Sequence, residues 1–138
     1  MAGMVIRYAY LWRSDYERGL EEGTKDRPCA VLLAVIDEAG DRKVIVLPVT
    51  HTPPQIPGHA LEIPAATKRR LDLDDGRSWI VVTEANRFTW PGPDLRPTRP
   101  GDAASVVYGE LPGDLFRKLR EQWLALSAAQ RPIVPRTE

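Results

Sequence analysis

Apolar and β-branched residues recur in short runs at positions 5–12, 29–36, 43–50, 60–63, 79–84 and 105–109, separated by segments rich in Gly, Pro and Asp. That rhythm predicts six strands. Between the fourth and fifth runs, segment 64–71 opens on Pro64 and exits through Asp72-Leu-Asp-Asp-Gly76, the signature of a short helix. Over 114–129, Leu115, Phe116, Leu119, Trp123 and Leu126 mostly fall three or four apart, with Arg117, Lys118, Arg120 and Glu121 on the other side. This spacing predicts an amphipathic helix. Together the elements describe an α+β fold: mainly β, a small and strongly curved, partly open antiparallel β-barrel with a short inserted helix and a C-terminal helix closing it.

Three stretches lack either period. Segment 14–27 is polar and carries Gly19 and Gly23, 52–58 contains three prolines, and 91–101 contains four. They read as surface loops, where binding groups are commonly displayed on a rigid sheet. Segment 131–138 reads as a frayed tail, so a single domain is expected over 1–130. The length of 138 residues agrees, because two halves would each be too small to bury a good core.

Composition narrows the function classes. Lys plus Arg and Asp plus Glu each number 19, so attraction to nucleic acid requires local patches in place of a global positive field. Cys29 is the single cysteine and has no partner for an internal disulfide. No apolar run reaches the 18 residues needed to span a bilayer, and residues 1–10 lack the layout of a signal peptide. A cytoplasmic protein without a membrane partner is the expectation. Phosphate-binding glycine loops, paired-cysteine or His-Glu-x-x-His metal motifs and a Gly-x-Ser-x-Gly elbow are all missing from the sequence, so neither a metal nor a cofactor is expected.

Two segments draw attention: Gly23-Thr-Lys-Asp-Arg-Pro-Cys-Ala-Val31, a loop running into an apolar strand, and Val44-Ile-Val-Leu-Pro-Val-Thr-His51, a strand ending on polar residues. An N-terminal strand, a Gly-containing loop, an Arg-Pro dipeptide and a strand closing on Pro-Val-Thr occur in the order that resembles the PemK/MazF family of toxin ribonucleases. The likeness spans about residues 5–126. It implies an SH3-like barrel, with Arg27 and Thr50 as the catalytic pair. Segment Trp79-Ile-Val-Val-Thr-Glu-Ala-Asn-Arg87 is similar to the family's late strand and maps Glu84 and Arg87. Two departures mark a divergent branch: Ile6-Arg7-Tyr8 stands where family members usually have Gly-Asp, and Phe88-Thr-Trp-Pro-Gly-Pro-Asp94 replaces a charged turn.

The resemblance implies a metal-independent endoribonuclease that cuts single-stranded mRNA at short sequences, leaves a 2′,3′-cyclic phosphate and a 5′-hydroxyl, acts as a homodimer and is restrained by a cognate antitoxin protein. The chemistry suits the residues. RNA cleavage without a metal uses the 2′-hydroxyl as nucleophile, and the charge gathering on the phosphate needs a permanent cation such as the Arg27 guanidinium. Thr50 supplies a further donor, although a strand-end threonine commonly bonds its own backbone. His51 is the better titrating group, but it joins Thr50 on one side only if the strand has ended by then. Lys25, Lys68, Arg69, Glu84, Arg87 and Trp90 complete the candidate substrate contacts, with Trp90 a possible platform for an unpaired base. Rival readings are a same-fold toxin that inhibits by binding a protein such as DNA gyrase, and a non-catalytic RNA-binding module.

Overall fold

The computed structural model describes residues 1–23 and 25–136. Its strands are β1 (Met4–Tyr8), β2 (Arg27–Ile36), β3 (Arg42–Thr50), β4 (Ala60–Glu62), β5 (Trp79–Val81), β6 (Ala85–Trp90), β7 (Val107–Glu110) and β8 (Ile133–Pro135). Its helices are α1 (Arg13–Glu17), α2 (Ala65–Arg70) and α3 (Gly113–Leu124), with one 3₁₀ turn at Ala128–Gln130. The eight strands form one sheet in the order β4-β5-β3-β2-β1-β7, with β6 on β3 and β8 on β6. The expected α+β class holds, but the sheet does not close into a barrel. Among the described residues, no helix is long and apolar enough to cross a membrane.

The long β2–β3 hairpin is the spine. On the side away from β2, β3 is shared: its first half pairs with β6 from Arg42↔Trp90 to Val46↔Asn86, and its end pairs with β5 through Val49↔Ile80 and Thr50↔Trp79. Both faces of the spine are covered over residues 29–32 and 46–49, which suits the continuous apolar run there, whereas Leu33, Val35 and Ile36 at the far end of β2 are exposed. Ala30, Leu32, Leu47 and Val49 join Leu115, Leu119 and Trp123 of α3 in one core. Cys29, Val31, Val44 and Val46 join Tyr8, Tyr10 and Phe88 in the other. Cys29 is fully buried, and that burial pushes its thiol pKa well up, as suits an inert core residue rather than a nucleophile.

Several boundaries differ from the expectation. The late strand predicted over 79–84 ends at Val81, and a further strand, β6, carries the aromatic segment that had read as loop. Loop 14–27 opens within the short helix α1, which begins at Arg13, and its last residue, Arg27, already belongs to β2. Gly23 fixes that loop against the chain: a Cβ there would lie 2.5 Å from the Tyr10 carbonyl oxygen and 2.7 Å from that of Ala9, both immovable backbone atoms. The largest difference is the C-terminus. Residues 131–136 are not frayed, because β8 pairs in parallel with β6 and Arg136 is buried; the remainder of that segment lies outside the described residues.

Candidate functional site

The start of β2 and the end of β3 meet at one end of the sheet. Their register runs from Ile36↔Arg42 to Cys29↔Pro48, and continuing it two residues sets Arg27 across from Thr50. A cleft of about 300 Å³ opens there, lined by Arg27, Thr50 and His51 together with Arg7, Lys25, Asp74 and Tyr108. The strand does end at Thr50, so the chain turns and His51 enters the same cleft instead of pointing to the opposite face. Thus the structure brings together four of the candidates: Lys25, Arg27, Thr50 and His51.

Arg27 is half-buried and held from two directions. Its Nη1 donates to the Val49 carbonyl oxygen at 3.2 Å, and its guanidinium carbon lies 4.9 Å from the centre of the Trp12 ring. Among the described residues its Nε is buried with no hydrogen-bond partner. Leaving such a donor unpaired costs about 1–3 kcal/mol, an arrangement that persists more readily where function requires the group. The Thr50 oxygen accepts a bond from the Thr52 N–H at 3.2 Å, the local turn expected of a strand-end threonine. The hydroxyl proton remains able to donate into the cleft.

His51 is part of a larger arrangement. Its Nε2 is 2.8 Å from Oδ2 of Asp74 and its Nδ1 is 2.9 Å from the Arg77 carbonyl oxygen. The other Asp74 oxygen accepts from Lys68 Nζ at 2.7 Å, and Lys68 donates also to Ser78 Oγ at 2.7 Å and to the Gly76 carbonyl oxygen. The bond from Lys68, aided by the charges of Lys68 and His51, holds the Asp74 carboxyl below its usual range despite some desolvation. Gly76 backs the imidazole closely, for a Cβ there would sit 3.3 Å from two ring atoms.

The remaining candidates lie elsewhere. Lys68 belongs to α2 but is buried beneath the 72–78 turn with its donors engaged, so it is not the solvated phosphate contact its sequence context predicts. Arg69 is exposed outside the cleft, on a smaller depression with Glu62 and Arg77. Arg87 is exposed opposite Ile45 in mid-strand, while Trp90 pairs across from Arg42, at the far end of β3 from Thr50. Trp90 packs near Phe88 on the second core, with ring centres 6.1 Å apart. Positive charge at the cleft therefore comes from Arg7, Lys25 and Arg27, not from the helix. Sequence reasoning missed Arg7, Asp74 and Tyr108; the Asp72-Leu-Asp-Asp75 run was the one visible signal, and it read as a helix exit.

Glu84 orients neither Arg27 nor Arg87. Its Oε1 accepts from the Tyr10 hydroxyl at 3.0 Å and from the Arg13 N–H at 2.9 Å, at the start of α1. Burial raises its pKa above 4.5, and those two bonds pull it only partly back. Between the unfolded value and this raised one the folded state holds the extra proton, so Glu84 favours folding most below pH 4.5 and loses that contribution as pH rises through the folded pKa. Glu84→Gln keeps the acceptor without the charge. Its melting temperature should exceed the parent's by a few degrees at pH 7 and match it near pH 4; an offset independent of pH in thermal unfolding would refute this origin.

No protein-family model matches the chain, and no match was found among curated proteins.

Proposed function

We propose that the chain is a metal-independent endoribonuclease acting on single-stranded RNA, the toxin of a toxin–antitoxin pair, and that Arg27, Thr50 and His51 form its active site. The observation that carries this reading is their convergence, from two strand ends, on one polar cleft in which Arg7, Lys25 and Arg27 stand beside Asp26, Asp72 and Asp74. In the reaction the ribose 2′-oxygen bonds to phosphorus as the bond from phosphorus to the 5′-oxygen breaks. The 2′-hydroxyl proton passes to water at the open mouth of the cleft, and water there returns one to the departing 5′-oxygen, because both His51 ring nitrogens are engaged by Asp74 and the Arg77 carbonyl oxygen and the ring serves as a fixed wall beside Thr50. Arg27 and the Thr50 hydroxyl bond the non-bridging oxygens as charge accumulates there, while Arg7 and Lys25 attract the flanking phosphates. The homodimer, the antitoxin partner and growth inhibition come from the PemK/MazF resemblance and belong to the same proposal.

Purified protein incubated with a long single-stranded RNA in excess EDTA should cut at a few short sequences, leaving 2′,3′-cyclic phosphate and 5′-hydroxyl ends. A 2′-deoxy substitution at the cut position should block that cut alone. Intact RNA at micromolar protein would overturn the ribonuclease reading.

A further inference from the structure

The cleft that holds Arg27 and Thr50 continues past its own wall. A second cleft of about 420 Å³ adjoins it, and Asp72 and Tyr108 line both. Apolar Leu71 and Val107 and polar Thr98 and Ser105 form much of the second one. The shared wall is fixed where the end of α2 meets β7. Arg70 Nη2 donates to the Glu110 carbonyl oxygen at 2.6 Å, and Leu71 and Tyr108 pack into the same core. Tyr108 is only half-buried there, so its ring is a braced aromatic surface facing the clefts.

Three carboxylates line the first cleft, and two of them are engaged. Asp26 lies 3.9 Å from Arg7 and 3.6 Å from Arg96, while Asp74 is held by Lys68 and His51. The Asp72 side chain has no hydrogen-bond or ion-pair partner among the described residues. Its backbone adopts a left-handed φ of 56°, which carries the chain out of α2. Glycine or asparagine would serve that exit without a charge. Beside a phosphate-binding cleft a free carboxylate repels a nucleic-acid backbone, so it is useful there only toward a hydrogen-bond donor.

Unpaired bases offer such donors on their Watson–Crick edges. Guanine presents two neighbouring ones, N1–H and N2–H, which match the two oxygens of one carboxylate. Adenine, cytosine and uracil each set acceptors directly beside their donor. An aromatic ring next to the carboxylate supplies the stacking surface that an unpaired base takes. We propose that the second cleft is a base subsite that selects guanine beside the cleaved phosphate, with Asp72 accepting from N1–H and N2–H and Tyr108 stacking on the base. The subsite rests on the ribonuclease reading for its substrate, while the preference for guanine rests on the free carboxylate and the aromatic wall.

The test uses Asp72→Asn in the full-length protein. Asparagine keeps the left-handed turn and replaces one acceptor with a donor, the pattern that complements adenine. With RNA oligonucleotides that differ only in the base beside the cut, the parent's kcat/KM should be ~10–100-fold higher for guanine than for adenine, with inosine, which lacks the N2 amino group, between them. In Asp72→Asn, adenine should equal or surpass guanine. Tyr108→Leu should raise KM ~10-fold, and Tyr108→Phe should leave it at the parental value. Should Tyr108→Leu fail to fold, Asp72→Asn, altered at an exposed side chain, still decides the proposal. Titration with guanosine and adenosine 5′-monophosphates, followed by NMR, reads the subsite without cleavage. The parent should bind the guanosine nucleotide at least ~10-fold more tightly, and Asp72→Asn should not. Cleavage with no guanine preference, or a preference that survives in Asp72→Asn, overturns the subsite and leaves the ribonuclease reading standing. An Asp72-dependent preference for the guanosine nucleotide in a protein that cuts no RNA supports the subsite and overturns the ribonuclease reading instead. Neither cleavage nor nucleotide preference overturns both.

Discussion

Replacing Arg27 with alanine should lower the rate of RNA cleavage ~10²–10³-fold, the loss typical of removing one preorganised group that stabilises a developing anion. Folding should change little. The side chain contributes one hydrogen bond to the Val49 carbonyl oxygen and its stacking on Trp12, while its buried, unpaired Nε works against it. These terms are each about 1 kcal/mol and of opposite sign, so the melting temperature should move by only a few degrees. Arg27→Lys separates charge from shape. Lysine keeps the positive charge but cannot present a planar fork to two phosphate oxygens, nor stack on an indole in the same way, so it should recover at most ~10-fold of the loss. Single-turnover cleavage of a short RNA, read beside thermal unfolding of each variant, distinguishes the outcomes. An Arg27→Ala protein that folds normally and cuts at the parental rate would remove Arg27 from the active site.

The pairing of Arg27 with Thr50 was legible because it depends on local order. An Arg-Pro dipeptide opens one apolar strand, a Pro-Val-Thr closes the next, and an antiparallel hairpin brings the start of the first beside the end of the second. The placement of His51 depended on where β3 stops, a boundary that alternation along the strand does not reveal. The Lys68 assignment failed for a related reason. Lys-Arg-Arg on a short helix reads as a solvated face, yet α2 has only six residues and its buried face includes Thr67 and Lys68. What determines the fate of Lys68 is the turn that folds back over it, formed by Asp74, Gly76 and Ser78, and that contact is tertiary.

The aromatic segment illustrates the opposite error. Phe88 and Trp90 lie just before a run of prolines, which made a loop the natural reading, but β3 has a free edge on the side away from β2 and the segment fills it as β6. Once paired there, Phe88 stacks on Tyr8 with ring centres 4.6 Å apart and becomes core. Glu84 lies in the turn this pairing creates, so its role could not be read while 79–84 was taken as one strand ending at an acidic residue. The site at the hairpin end follows from sequence order, whereas its support follows from which segments cover the sheet.

Arg136→Met should destabilise the fold by about 3–5 kcal/mol, the usual effect of breaking a buried ion pair from one side. For a chain of this size that amounts to a fall in melting temperature of about 10–17 °C. The guanidinium is 1% exposed; it pairs with Asp94 at 3.0 Å and donates to the Ala9 carbonyl oxygen at 2.7 Å and to Asn86 Oδ1 at 3.2 Å. Asn86 in turn holds both the N–H and the carbonyl oxygen of Leu11. One side chain near the C-terminus therefore secures the 9–12 segment that presents Trp12 to Arg27, and its removal leaves Asp94 desolvated without a counter-charge. Asp94→Asn alone should be milder, since the amide can still accept from Arg136, and the double variant should be more stable than the two single losses added together. Thermal unfolding of the four proteins measures the coupling. Equal stability of the parent and Arg136→Met would mean that residues 131–136 lie on the fold without supporting it, as the sequence alone had indicated.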